Sequence, residues 1–219
     1  MPTEQRAVSG FDRVRLEDVG ILEITQGDHE ALTVEADAEV LPKVISEVRD
    51  GVLVLRVSGG WLDRLGTAIN AGFSRTRVRF AVTVKSLVGL AIAGVGRVDV
   101  GELKAPQFTL ELHGGADVHF KALTADRLEV RLSGAGSIEF AGKVAQQQVV
   151  LSGAGSYSGG KLESQTARVT LSGAGSATVW ATQELDATLA GLGSVQYYGN
   201  PQVRKTISGL GSVQHLGER

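Results

Sequence analysis

One short motif recurs along the chain at an almost fixed interval, and that interval restricts the fold more than any other feature. Leu132-Ser133-Gly134-Ala135-Gly136-Ser137-Ile138 returns as Leu151-Ser152-Gly153-Ala154-Gly155-Ser156-Tyr157 and as Leu171-Ser172-Gly173-Ala174-Gly175-Ser176-Ala177. Softer copies start at Ile92, Leu112, Leu189 and Ile207. The first glycine of each copy falls at 94, 114, 134, 153, 173, 191 and 209, so the steps are 20, 20, 19, 20, 18 and 18 residues. A period near 20 marks a stacked array in which each repeat buries its apolar face on the next. Alternation on either side of the glycines, as in Leu128-Glu129-Val130-Arg131-Leu132, selects strands over helices.

The expected fold is therefore all-β, a β-solenoid or β-helix-like stack of repeats of about 18–20 residues preceded by an N-terminal β-rich region. Seven motif copies give six steps, a rod section about 29 Å long at one strand spacing per step. The glycines mark corners, through positive φ or close approach of backbones. Fourteen of the 29 glycines belong to the motif when Gly114 and Gly115 are taken as the pair of the irregular copy. In register, Val98, Val118, Ile138, Tyr157, Ala177, Val195 and Val213 form one core row. Leu110, Val130, Val149, Val169 and Ala187 form another, which ends in Lys205. Asp99, His119 and Glu139 form one outward row, Arg168, Asp186 and Arg204 another, and Arg97 is expected to pair with Asp117 across coils.

Residues 1–57 form an N-terminal β-rich region, 58–77 an irregular loop or short helix, and 78–219 the Gly-x-Gly solenoid, with one continuous domain as the alternative. In the first region Gln26–Glu30 is expected to be a hairpin turn and Asp50-Gly51 a second one. The segment around Pro42 is expected to make a short helical turn followed by a strand. Trp61, Leu65, Ile69 and Phe73 lie four apart, a stripe that either packs on the protein's own sheet or meets a partner.

The same residues resemble a known family. Val8-Ser9-Gly10-Phe11-Asp12-Arg13-Val14, the Ile24-Thr25-Gln26-Gly27 turn, Asp50-Gly51-Val52-Leu53, the serial Leu-Ser-Gly-Ala-Gly-Ser motifs and Tyr197-Tyr198-Gly199-Asn200-Pro201 are similar to the bacterial putative auto-transporter adhesin, head GIN domain family. The resemblance spans roughly residues 8–215. It implies an all-β, solenoid-like fold without established catalysis, a proposed adhesive role, and a place in the cell envelope or outside the cell. The opening Pro2–Arg6 does not read as a signal peptide, which keeps a cytoplasmic location among the alternatives.

Chemistry is weakly signposted. The chain has no Cys, which excludes disulfides, thiolate zinc sites and Cys nucleophiles. A net charge of −2 offers no footprint for nucleic acid, and no apolar run has the length of a membrane span. Asp99, His113, Asp117, His119 and Glu139 form a polar cluster of zinc-ligand or general-base type, weighed against an ordinary solvated charge ladder. The motif serines read as turn caps, with a base in reach only near His113. Trp180, Tyr197 and Tyr198 are a candidate stacking surface for sugars, against a role in closing the rod end. No catalytic residue, cofactor or metal is assigned. The expected function is a non-enzymatic binding or scaffold module for a protein or glycan ligand, with self-association into a homo-oligomer. The alternatives are a carbohydrate-active or metal-dependent enzyme and an intracellular structural or regulatory self-associating module.

Overall fold

The computed structural model describes residues 1–58 and 78–219. Trp61, Leu65, Ile69 and Phe73 lie outside the described residues. The all-β solenoid expected from the motif spacing is the fold observed, with about six turns.

Long strands carry the repeat: β9 (Val95–Leu112), β10 (Gly115–Leu132), β11 (Ser137–Leu151), β12 (Ser156–Leu171) and β13 (Ser176–Gly191). Each lies parallel on the one before it, so a coil is one bent strand plus a glycine turn. The last full coil is split into β14 (Ser194–Tyr198) and β15 (Gln202–Gly209), and β16 (Ser212–Gly217) stacks on β14. Within β10 the buried side chains run Val118, Phe120, then Leu123, Ala125, then Leu128, Val130, Leu132. Alternation slips by one residue twice, so the strand turns two corners, and the glycine turn supplies the third.

Both core rows are in the expected register. Val118 pairs with Val98 and Ile138, and the row continues through Tyr157, Ala177 and Val195 to Val213. All but Val213 are buried. The second row also runs in register to Lys205, which is exposed because no further strand among the described residues covers it. Aromatic rings thread the interior: Phe108 meets Phe120 edge-on at 5.2 Å, and Phe120 stacks on Phe140 at 4.2 Å.

Close approach, rather than positive φ, explains the first glycine of most motif copies. A Cβ on Gly134 would overlap the carbonyl oxygen of Gly114, and one on Gly153 would overlap that of Gly134. Position 116, not 115, matches the second glycine: Ala116 pairs with Gly96, whereas Gly115 pairs with Val95. The pairing of Gly114 with Gly115 is thus corrected, because strand register rather than adjacency defines the motif.

The N-terminal strands are woven into the same stack. They are β1 (Thr3–Arg6), β2 (Arg13–Leu16), β3 (Gly20–Gln26), β4 (Ala31–Glu35), β5 (Val44–Arg49) and β6 (Val52–Val57), followed by β7 (Arg79–Val84) and β8 (Gly89–Ile92). β3 lies between β7 and β9, parallel to both, while β2 lies between β6 and β8. Gln26 extends the β3 ladder with its side chain: its Nε2 donates to the carbonyls of Lys85 and Lys104, and its Oε1 accepts from Lys104 N at 2.9 Å. Gln26–Glu30 does not close a hairpin, since β7 separates β3 from β4. Two other local expectations hold. Leu41–Lys43 is a 3-10 turn leading into β5, and Asp50 and Gly51 (φ 51° and 76°) join β5 to β6.

The two ends differ. At the N-terminal end β1 and β5 are antiparallel edge strands, linked by Arg6, whose Nη1 donates to Val44 O and Ser46 Oγ. At the C-terminal end every residue of β15 is exposed, including Val203 and Ile207, which align with buried Leu185 and Leu189.

Candidate functional site

The five members of the polar cluster are divided among three arrangements. His119 stands in register between Asp99 and Glu139. Each carboxylate is already engaged. Arg97 grips Asp99 through two bonds of 2.7 and 2.9 Å, and Lys161 Nζ reaches Glu139 Oε1 at 2.9 Å. Those bonds hold both carboxyl groups below their usual range. The Arg97 guanidinium therefore turns along its own strand instead of bonding Asp117, the expected partner. Asp117 accepts the hydroxyl of Ser137 instead. Two residues along one strand face are already neighbours, so the bidentate contact with Asp99 needs no reach across the coil.

His113 is apart from these. Its Nδ1 lies 2.8 Å from Ser133 Oγ, and its Nε2 lies 3.9 Å from Glu111 Oε2. A hydroxyl, an imidazole and a carboxylate in series are the groups of nucleophilic catalysis, but acyl transfer also needs free donors for an oxyanion. Here the nearby donors are occupied by coil stacking: Ser133 N donates to Leu112 O, and Ala135 N to Gly114 O. The row lies on an open face, with the His113 side chain 54% exposed. Among the described residues, no group of three or more His, Asp or Glu side chains is arranged to hold a metal ion.

The three aromatics separate too. Tyr197 follows the inward row and stacks on His215 with ring centres 4.8 Å apart. Tyr198 pairs with Trp180 in the adjacent strand, and Arg219 covers its ring at 4.2 Å. Trp180 and Tyr198 are thus neighbours, while Tyr197 belongs to the rod end.

Sequence reasoning missed two features. One is a buried polar chain: Tyr157 Oη donates to Gln147 Oε1 at 2.9 Å, Gln147 Nε2 donates to Ser164 Oγ at 2.8 Å, and Ser164 Oγ donates to Trp180 O at 2.7 Å. Burial pushes the Tyr157 phenol well above its ordinary pKa. Gln147 sits in the row of Leu128, Ala167 and Leu185, and a lone amide in an apolar row was the available signal.

The other feature is an open trough of about 720 Å³ that crosses β10, β11, β12, β13 and β15. Two outward rows make its walls. Arg127, Gln146, Thr166, Glu184 and Gln202 form one wall, in register. Gln148, Arg168, Asp186 and Arg204 form the other, two residues along each strand. Between them the floor is the backbone of the inward row, in which Gln147, Ala167 and Leu185 are buried and Val203, on the last strand, is exposed. The second wall includes the expected Arg168, Asp186 and Arg204 row; the first was not read from the sequence.

Comparison with known proteins follows the fold. A putative adhesin from Bacteroides fragilis NCTC 9343 is similar at 22% identity over 98% of this chain and 96% of its own, with a TM-score of 0.89. A putative lipid binding protein from Parabacteroides distasonis ATCC 8503 is similar at 22% identity with the same coverage and a TM-score of 0.74. A putative adhesin from the same organism has 20% identity, again over 98% and 96% of the two chains, and a TM-score of 0.66. A search of curated proteins found no match. The family described as putative auto-transporter adhesin, head GIN domain, matches residues 10–201. The repeat, the woven N-terminal strands and that match agree, and the chain belongs to the putative auto-transporter adhesin, head GIN domain family.

Proposed function

We propose that the protein is a binding module that works through its outer surface without turning over what it binds. The trough carries this reading: it is open and lined by amides, guanidinium groups and carboxylates from five successive strand layers. The polar groups that resemble catalytic machinery lie elsewhere, on exposed rows whose neighbouring N–H groups are used in stacking. Adhesin names among the structural relatives support the same direction. A glycan array combined with a hydrolase substrate panel tests it. Binding without product is expected, and turnover of any panel substrate would overturn the reading.

One observation favours self-association as a second property. The inward-row residues Val203, Lys205 and Ile207 are exposed at the C-terminal end, on β15, an edge strand that pairs only with β13 among the described residues. A second copy meeting this edge would cover them. Light scattering across a wide concentration range is expected to show a dimer that Ile207→Asp dissociates. A strict monomer would remove the idea.

A further inference from the structure

We propose that the trough binds a linear acidic polysaccharide lying along the rod axis, with carboxylates on alternate sugar residues. This rests on the binding-module reading and assigns it a ligand class. Strand spacing sets the scale. Five strand layers span four steps, about 19 Å at about 4.8 Å each, close to the rise per residue of an extended hexose chain. One sugar residue thus faces one strand.

The charges repeat at twice that spacing. Arg127 stands on β10, Arg168 on β12 and Arg204 on β15, so guanidinium groups occur on every second layer. The layers between them differ in chemistry. β11 presents the amides of Gln146 and Gln148, and β13 presents the carboxylates of Glu184 and Asp186. A sugar carboxylate suits the guanidinium layers through charge-assisted bonds and is repelled at β13. Hydroxyl or amide N–H groups of an uncharged sugar suit β13, because carboxylates only accept. An alternating acidic and neutral polymer satisfies all five layers. Two existing contacts yield on binding: Arg127 Nη2 donates to Gln148 Oε1 at 3.4 Å, and Arg168 lies 3.8 Å from Asp186. Glu129, beside Arg127 on β10, is occupied by Arg131.

Titration calorimetry on the full chain provides the test. The probes are a hyaluronan hexasaccharide, which alternates glucuronate with N-acetylglucosamine, the neutral chitohexaose, and hexagalacturonate, which is acidic at every residue. The hyaluronan fragment is expected to bind tightest and to weaken as salt rises. Arg168→Gln and Arg204→Gln are each expected to weaken it about tenfold. Asp186→Asn is expected to narrow the preference for the hyaluronan fragment over hexagalacturonate, because it removes part of the repulsion at β13, a result that a merely structural role for Asp186 would not give. Thermal melts of the variants check that the fold is intact. Equal binding of chitohexaose would overturn the acidic requirement, and equal binding of hexagalacturonate the alternation. If the arginine variants change nothing while array ligands still bind, the trough assignment falls and the binding-module reading stands. If no sugar binds and the panel shows turnover, both fall.

Discussion

The Tyr157 hydroxyl donates a 2.9 Å hydrogen bond to the side-chain oxygen of Gln147 in the interior of the solenoid. Both residues are buried. Removing the donor leaves the Gln147 oxygen without a partner in a low-dielectric setting. Tyr157→Phe is therefore expected to cost about 1–3 kcal/mol in denaturant unfolding, despite keeping the ring.

The same phenol gives stability an alkaline dependence. Burial raises its folded pKa above the ordinary 10.0, so above pH 10.0 the unfolded chain loses this proton while the folded one keeps it. Stability must fall as pH rises through that range. The fall is expected to be shallower in Tyr157→Phe, as measured by urea unfolding at pH 9 and pH 11.

Glycine substitutions should sort by register. Gly134→Ala places a methyl group against the Gly114 carbonyl, which belongs to a rigid stack. It is expected to cost about 3 kcal/mol or more, at the upper end of overpacking. A Cβ on Gly115 meets nothing within 4 Å, so Gly115→Ala is expected to stay within about 0.5 kcal/mol. Equal losses in melting experiments would contradict the stacking.

Length changes should show the same periodicity. Removing residues 134–152 deletes one whole repeat and rejoins equivalent positions, so the shortened rod is expected to unfold cooperatively. Removing half that length places outward residues on inward rows and is expected to abolish folding. Circular dichroism melts distinguish the two.

At acid pH the Glu139 contact is expected to matter only slightly. Lys161 holds its carboxyl below the ordinary 4.5, so the contribution is present above that value and is lost as pH falls through the lower folded value. Its side chain is 39% exposed, which limits the effect to a few tenths of a kcal/mol. Glu139→Gln should flatten the acid limb of the stability curve by that amount, and 1 M salt should hide the difference.

The rows of the solenoid were legible because a parallel in-register stack repeats the same alignment at every step. Val98 to Val213 follows directly from the glycine spacing. The placement of β3 was not legible, because its apolar alternation suits any position in a parallel stack and its two neighbours come from residues 79–100. Arg97 was misassigned because strand register places backbones, while a long side chain chooses between an intrastrand and an interstrand carboxylate. The trough was half legible: one wall was a recognised charge row, and the other became a wall only once the corner beside it had been formed.

The insertion of β3 also has a kinetic consequence. A chain made from its N-terminus presents β3 early, yet both partners of that strand are made more than fifty residues later. Its backbone groups must wait, shielded only by local contacts, until β7 and β9 have emerged. Later coils face no such delay, since each can dock on a finished predecessor about 20 residues back. Folding of the rod should therefore have one slow, long-range closure at its base, followed by rapid addition of coils. The base, rather than the repeats, then governs how long the nascent protein carries unpaired strand edges in a crowded cell.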